Sequence, residues 1–449
     1  MNSLDYKENF LLYLSRKSIY LSSLFYKSAS LLVLLVCIYS CSPSLNKQFK
    51  NAEVFENAFT GFAVYDLKNE RMLYEYNSDK YFTPASNIKL LTLYAGLKNL
   101  GDSIATFKYK ILNDSLIFTA TGDPTFLNMK FDSSNTLNFL QNNDLELYYV
   151  KSKWQDKAFG PGWAWDDYNN AFSAERSAFP IYGNLVNFKF NKSNRTFTVY
   201  PESFKDSIKI TEKEKDIYRE IDGNTFSFGA SSSKNYSKLI PFKTSEKISV
   251  QLLSEKLNKK VVYLEDEKLL SELNNEFYSI PADSLYKEML FESDNFIAEQ
   301  ILLMVSQKIS DTLNTEIAIS QTQKNDFEDL PDEIFWVDGS GLSRYNLAAP
   351  RSIVKILKKI IDLEGQKKLS KILPEAGKEG TIKNFLLDKN AIVYAKSGSM
   401  RNNYSLSGLL ITKKGKRLLF SFMNSNYTVS SKKLKAEMEQ VLLRVINKY

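Results

Sequence analysis

A serine and a lysine at the start of a long apolar segment are the feature that most constrains this chain. Ser86 and Lys89 are three positions apart, and residues at this spacing share one face of a helix. Pro84 fits just before a helix start, and the mostly apolar segment that follows ends at Gly101. The pattern predicts a buried helix, so the fold must hold a lysine in its interior beside a serine hydroxyl.

The chain of 449 residues contains no histidine, the residue that usually accepts the proton of a serine nucleophile. A free lysine has a pKa of ~10.4, so making it neutral near pH 7 costs about 4–5 kcal/mol. Burial and a second cation nearby lower a lysine pKa by that order. We expect Lys396 to be this second cation, so that Lys89 can accept the Ser86 proton.

Two further motifs follow in chain order. Ser293-Asp294-Asn295 lies in an apolar stretch, where small polar residues need a reason to be buried. Lys396-Ser397-Gly398-Ser399 follows a predicted strand over residues 392–395. With Ser86 and Lys89 they match the S-x-x-K, S-D-N and K-T-G trio of serine acyl-transferases that recognise D-Ala-D-Ala peptides or β-lactams. Ser397 replaces the usual threonine but keeps the hydroxyl.

Each motif has a simple structural alternative when taken alone. S-x-x-K also occurs at Ser284/Lys287 and elsewhere, the second motif fits a helix-breaking turn, and the third fits a strand end. The functional interpretation assigns a role to every position. Ser293 relays a proton to the leaving amine, and Asn295 binds a substrate carbonyl and N–H. Lys396 and Ser397 bind a C-terminal carboxylate, and Gly398 lets the substrate backbone approach the strand.

The pattern of the chain predicts a domain split by an insertion. Residues 60–66 and 71–76 resemble two strands before the first motif, and residues 105–280 are rich in short alternating segments typical of β-structure. Helical spacing returns at Asp283, further strands are predicted over 406–411 and 418–423, and a helix closes the chain over 432–448. We therefore predict an export segment over 1–40, a catalytic domain over 41–104 and 281–449, and inserted β-rich domains over 105–280.

The N-terminus predicts export. Lys27 precedes an apolar run over residues 31–39 that is too short to span a bilayer comfortably, as in a signal peptide. Residues 38–42 resemble a bacterial lipobox, which predicts lipidation of Cys41 and a membrane anchor. An ordinary cleaved signal or an uncleaved anchor are the alternatives.

Composition excludes several other functions. The formal charge of +7 is mild and not clustered, which argues against a nucleic-acid partner. The two cysteines, Cys37 and Cys41, lie near the N-terminus, so the body of the chain offers neither a disulfide nor the histidine and cysteine ligands of zinc. No metal and no cofactor are expected.

The motif string resembles the class C low-molecular-mass penicillin-binding proteins, the D-alanyl-D-alanine carboxypeptidase/endopeptidase family. Besides the three motifs, the resemblance includes segments 121–124, 162–167, 338–344 and 380–382. It implies an α/β (α+β) penicillin-binding, serine β-lactamase-like domain with a β-rich insertion forming one or two smaller domains.

The resemblance also implies a function in the bacterial periplasm. Ser86 would be acylated by the penultimate D-Ala of a peptidoglycan stem peptide, with the N–H groups of Ser86 and Ser399 as oxyanion hole. Penicillins would inhibit covalently. Asp167, Phe172 and Arg344 would surround the side chain of the stem-peptide diamino acid, although residues 163–167 also fit a structural plug and turn. The alternatives are a β-lactamase or esterase with the same trio, and a catalytically silent cell-wall-binding scaffold.

Overall fold

The computed structural model describes residues 45–141, 144–194, 196–211, 216–229, 235–385 and 391–449. The predicted export segment and Cys41 lie outside these residues. Helix α1, Leu45–Asn51, belongs to a compact unit that ends at Ala52, and Glu53–Tyr449 form a second unit.

All further elements belong to the second unit. The helices are α2 (Glu53–Glu56), α3 (Lys89–Asn99), α4 (Ser134–Gln141), α5 (Glu246–Leu257), α6 (Glu267–Ser271), α7 (Ala282–Phe291), α8 (Asn295–Ser310), α9 (Thr315–Asp326), α10 (Pro350–Glu364), α11 (Gln366–Ile372) and α12 (Ser431–Lys448). The strands are β1 (Phe59–Asp66), β2 (Arg71–Tyr76), β3 (Ser103–Leu112), β4 (Ser115–Ala120), β5 (Glu146–Val150), β6 (Leu185–Asn191), β7 (Thr196–Tyr200), β8 (Ile208–Thr211), β9 (Ile217–Arg219), β10 (Phe226–Gly229), β11 (Tyr236–Pro241), β12 (Val261–Leu264), β13 (Asn275–Pro281), β14 (Ile392–Met400), β15 (Asn403–Ile411) and β16 (Arg417–Ser425).

A five-stranded antiparallel sheet joins distant parts of this unit. Its order is β14-β15-β16-β1-β2, so pairing of β1 with β16 joins the first two strands to the last three. The strands predicted from the sequence on either side of the insertion lie within these five, which confirms them. β14 continues to Met400, so the third motif is part of a strand and does not follow its end.

Helices cover the sheet on both faces, which explains why β1, β15 and β16 are buried almost throughout. On one face, apolar side chains of α3 and α7–α11 form a single core with the sheet. On the other face, Met438 of α12 contacts Asn424 of β16. Helix α3 is buried from Lys89 to Leu97, because α7, α8 and α10 pack around it.

The residues between β2 and α7 add three further sheets and a second hydrophobic core. The sheets have the orders β12-β5-β4-β3-β13, β11-β6-β7 and β8-β10-β9. Their core is rich in phenylalanine, and the ring of Phe107 lies 4.9 Å from that of Phe118 and 5.8 Å from that of Phe179. This agrees with the predicted β-rich texture of residues 105–280, whereas the domain boundaries themselves stay a prediction.

Candidate active site

Ser86 lies in a tight turn that leads into α3. Residues Ala85–Ile88 form a 3-10 turn, and the α-helix begins at Lys89. The sequence predicted Ser86 in the first turn of the helix itself; the turn is wound more tightly than that. Ala85 has a left-handed backbone with φ of 49°, which turns the chain sharply before the serine. Ser86 is partly exposed, whereas Lys89 is fully buried.

The amine of Lys89 has three contacts. Its Nζ lies 3.1 Å from Ser86 Oγ, 2.7 Å from Asn295 Oδ1 and 2.6 Å from the carbonyl oxygen of Ser340. The latter two oxygens can only accept, and a neutral amine has two N–H groups and one lone pair. When Lys89 is neutral, both N–H groups are therefore engaged, and the lone pair points at the Ser86 hydroxyl. The geometry allows Lys89 to accept a proton from Ser86.

Burial lowers the pKa of Lys89 to about 8, although Asp338, Asp294 and Glu299 act in the opposite direction. About a tenth of the amine is therefore neutral at pH 7. Sequence reasoning expected the charge of Lys396 to contribute to this shift. Burial and then repulsion by the Lys89 ammonium hold the pKa of Lys396 well below its usual range.

The second motif connects α7 to α8. Ser293 has a left-handed φ of 58°, Asp294 caps α8 by accepting the N–H of Ile297 at 2.9 Å, and Asn295 begins the helix. The Asn295 amide donates to the carbonyl oxygen of Phe172 at 2.9 Å. This bond fixes the amide so that its oxygen faces Lys89.

The third motif lies opposite the second. Lys396 Nζ donates to Ser293 Oγ at 2.8 Å and to the carbonyl oxygen of Ser397 at 2.6 Å, and the side chain is fully buried. The hydroxyls of Ser397 and Thr381 are 2.7 Å apart, which joins residues 380–382 to this strand. The hydrogen bonds thus form two groups, Lys89 with Ser86 and Asn295, and Lys396 with Ser293. Ser293 makes no described bond to Lys89.

Gly398 packs against the Ser86 turn. A Cβ on Gly398 would lie 2.5 Å from the carbonyl oxygen of Pro84 and 2.9 Å from the N of Ser86. The missing side chain therefore lets the Ser86 turn approach β14, and the approach of a substrate backbone stays a prediction. Asn87 strengthens this contact, because its Nδ2 donates to the carbonyl oxygen of Lys396 at 3.0 Å. Ser399 follows Gly398 and is exposed.

A loop over residues 338–346 supports the lysine from the other side. Buried Asp338 accepts the N–H groups of Gly341 and Ser343 and the amide of Asn346 at 2.6–2.8 Å. A Cβ on Gly341 would lie 2.0 Å from the carbonyl oxygen of Ala85, so this loop also packs against the Ser86 turn. The loop gives Lys89 its third contact, the Ser340 carbonyl.

Two side chains that sequence reasoning missed hold this loop. Thr92 Oγ1 donates to the carbonyl oxygen of Gly339 at 2.6 Å, and Glu299 Oε1 accepts the N–H of Ser340 at 2.8 Å. Glu299 is a charged residue in an apolar helical run, four positions after Asn295, and this pattern could have identified it. The Ser340 contact is made by backbone and carries no sequence signal.

The residues predicted to contact the substrate side chain lie outside the lysine network. Asp167 is half-buried and accepts the Asn170 amide at 3.2 Å, while Phe172 and Arg344 are exposed. Only Phe172 joins the network, through its carbonyl oxygen. Of the two tryptophans, Trp163 donates to Asp338 at 2.9 Å as a structural plug would, whereas Trp165 is 78% exposed.

Neither a metal-binding cluster nor a membrane-spanning helix is found among the described residues. They contain no group of three or more acidic or cysteine side chains that could hold a metal ion. No helix in this part of the chain is both long and apolar enough to cross a membrane.

Comparison with known proteins gives one family and several relatives. A model of the D-Ala-D-Ala carboxypeptidase 3 (S13) family matches residues 42–446. The D-alanyl-D-alanine carboxypeptidase DacB of Haemophilus influenzae is 24% identical over 434 residues, which cover 86% of this chain and 90% of the relative.

Solved structures share the fold. The crystal structure of penicillin binding protein 4 (dacB) from Haemophilus influenzae has a TM-score of 0.71 and 21% identity, and the match covers 90% of this chain and 99% of that one. A predatory peptidoglycan endopeptidase from Bdellovibrio bacteriovorus, Bd3459, has a TM-score of 0.50 and 14% identity, with coverage of 87% and 93%.

The lowered pKa of Lys89 predicts a pH-dependent stability cost. Between the folded pKa of about 8 and the ordinary 10.5, the unfolded chain binds more protons than the folded one. The free energy of unfolding of the wild type, minus that of a Lys89→Met variant, should therefore rise by up to about 3 kcal/mol from pH 8 to 10.5. Denaturant titrations at several pH values measure this difference.

Lys80→Met serves as the matched control, because this side chain is 67% exposed. A difference between wild type and Lys89→Met that stays constant over this pH range would contradict the prediction.

Proposed function

The chain belongs to the D-Ala-D-Ala carboxypeptidase 3 (S13) family, and we propose that it removes the terminal D-Ala of peptidoglycan stem peptides through an acyl-enzyme on Ser86. One observation carries the assignment of this serine: the lone pair of Lys89 can point only at its hydroxyl. The other serines of the trio lie where they can assist, with Ser293 bonded to Lys396 and Ser397 beside Thr381.

Acylation begins when Lys89 takes the proton of Ser86. Oγ then attacks the carbonyl carbon of the penultimate D-Ala, and negative charge develops on the carbonyl oxygen. The N–H groups of Ser86 and Ser399 are the donors proposed for this oxygen. The close packing of Gly398 on the Ser86 turn supports the pairing, because it holds the two backbone segments together.

The C–N bond to the terminal D-Ala breaks when its nitrogen receives a proton. Ser293 is the proposed relay, because its hydroxyl accepts from Lys396 and lies at the start of the segment that carries Asn295. The proton that the hydroxyl donates to the amine is replaced by the one that Lys89 took from Ser86, so Lys89 is neutral again. Water then attacks the acyl-enzyme while Lys89 takes its proton, and Lys89 returns this proton to Ser86 Oγ as the shortened peptide leaves.

Lys396 and the hydroxyl of Ser397 are the proposed partners of the terminal carboxylate. An anion beside Lys396 favours its ammonium form. It therefore opposes the burial and the repulsion by Lys89 that lower the pKa of Lys396. We propose that crosslinked stem peptides are also cut, since the Bdellovibrio relative is a peptidoglycan endopeptidase. Such an endopeptidase reaction uses the same acyl-enzyme with a larger leaving amine.

The first test is covalent labelling. Intact-protein and peptide mass spectrometry after incubation with benzylpenicillin should find one adduct, on Ser86, and Ser86→Ala should lose both the adduct and at least about 10⁴-fold of activity on muropeptides. Ser284→Ala is the control, because exposed Ser284 and Lys287 have the same spacing. An adduct on another residue, or none, overturns the assignment.

Defined muropeptides separate the possible reactions. Release of D-Ala from monomeric pentapeptide is the carboxypeptidase reaction, and conversion of crosslinked dimer into monomers is the endopeptidase reaction. Rapid turnover of the antibiotic with no action on muropeptides would instead establish a β-lactamase.

We propose that Asp167 pairs with the free amine of the stem-peptide diamino acid. Asp167→Asn should raise KM about tenfold for such substrates, because a charge-assisted hydrogen bond worth about 1.5 kcal/mol is lost. Asp167→Asn should leave the KM for substrates with an acetylated amine unchanged. The control Asp166→Asn, at the exposed neighbouring residue, should change the KM for neither substrate class. Equal effects on both substrate classes would contradict the pairing.

We propose that the protein is exported to the periplasm and anchored by a lipid on Cys41, since an apolar run and a lipobox-like segment precede this residue. Cells fed an alkyne fatty acid should label the wild type and a Cys37→Ala variant. Cys41→Ala should lose the label and leave the membrane fraction. Label that persists in Cys41→Ala would refute the anchor.

A further inference from the structure

Glu299 is a fully buried carboxylate that the proposed reaction does not use. It lies on α8, one helical turn after Asn295. Its Oε1 accepts the N–H of Ser340 at 2.8 Å, and the carbonyl oxygen of the same residue accepts from Lys89 Nζ at 2.6 Å. A single residue of the 338–346 loop thus stands between the carboxylate and the base.

The second oxygen of Glu299 is poorly satisfied. Oε2 has no hydrogen-bond partner within the described ranges, and its nearest cation is Arg176, whose Nη1 is 3.8 Å away. Arg176 is itself buried and donates to Asp156 and Thr315. A carboxylate with a single hydrogen-bonded oxygen and a distant cation is only partly compensated for its burial.

We propose that Glu299 is a positioning residue that fixes the Ser340 carbonyl against Lys89 and, by its own charge, determines how firmly Lys89 holds a proton. This inference rests on the proposed function of Lys89 as the base for Ser86. It adds a second titrating group to the site, placed behind the reacting atoms and out of contact with substrate.

The charges around Lys89 and Glu299 determine whether loss of the carboxylate raises or lowers the pKa of Lys89. Lys89 faces the carboxylates of Asp338, Asp294 and Glu299, and it repels the ammonium of Lys396. Glu299 faces Asp338 and Arg176; burial and repulsion by Asp338 raise its pKa to about 7, while Arg176 opposes the shift. Both groups therefore titrate close to neutral pH, and each favours the charged form of the other. Loss of the carboxylate should make Lys89 easier to deprotonate.

The test is the pH profile of acylation. For Glu299→Gln, the acidic limb of the second-order rate constant for penicillin acylation should move to lower pH by about 0.5 unit or more, because an anion that favours the ammonium is gone. Thr92→Val is the matched control: it removes another anchor of the loop, the bond to the Gly339 carbonyl, without a change of charge. This control should lower the rate equally at every pH.

The acidic limb of the Glu299→Gln profile could instead stay in place while the rate falls equally at every pH, as in Thr92→Val. Glu299 would then only anchor the loop, and the proposal would be overturned. If the wild type is not acylated at all, the proposed function fails instead, which is a distinguishable result.

A second measurement needs neither activity nor a folded Glu299 variant. In wild-type protein labelled with ¹³C-glutamate, one carboxyl resonance should titrate near pH 7, and its midpoint should rise in Lys89→Met, because the neighbouring cation is lost. A spectrum in which every glutamate titrates below about pH 5.5, or a midpoint that Lys89→Met leaves in place, overturns the coupling.

Discussion

The contact on which the site depends is that of a buried amine with three oxygens. Two of the oxygens, on Asn295 and Ser340, can only accept, so they dictate where the lone pair of Lys89 points. A lysine that merely came near a serine would gain nothing from burial, because its lone pair could turn away from the hydroxyl. Orientation and lowered pKa together allow a residue that is normally a cation to present a lone pair to the Ser86 hydroxyl.

The architecture serves to hold that amine. Its partners come from the Ser86 turn, from the start of α8 and from the 338–346 loop. Gly398 lets β14 approach the turn from one side and Gly341 lets the loop approach from the other, each against backbone atoms. The sheet that positions β14 contains strands from both ends of the second unit, and the inserted residues contribute the Phe172 carbonyl that holds the Asn295 amide.

The sequence was sufficient to predict the residues that meet through their side chains. Ser86, Lys89, Ser293, Asn295 and Lys396 carry their chemistry in their identity and order, and the flanking strands follow from alternation. The sequence was not sufficient where a backbone group makes the contact, or where the pKa of one residue depends on its burial and on a neighbouring charge. The Ser340 carbonyl has no sequence signal, the packing of Gly398 depends on which segment faces it, and burial is the largest influence on the pKa of both lysines. Each depends on three-dimensional neighbours.

The interior next to the site contains several buried charged side chains, which a core built for stability alone would not need. Replacing ionic groups with apolar ones of similar volume often stabilises a protein, so a core that keeps Lys89, Lys396, Glu299, Asp338 and Arg176 sacrifices stability. Among these groups, Asp338 accepts hydrogen bonds from loop N–H groups with both of its oxygens. Glu299, in contrast, has one oxygen without a hydrogen-bond partner within the described ranges. Burial and repulsion by Asp338 raise the pKa of Glu299 to about 7, and burial lowers that of Lys89 to about 8 although three carboxylates oppose the shift. Burial is therefore what brings both groups close to neutral pH, whereas full compensation by opposite charges would keep each of them ionised.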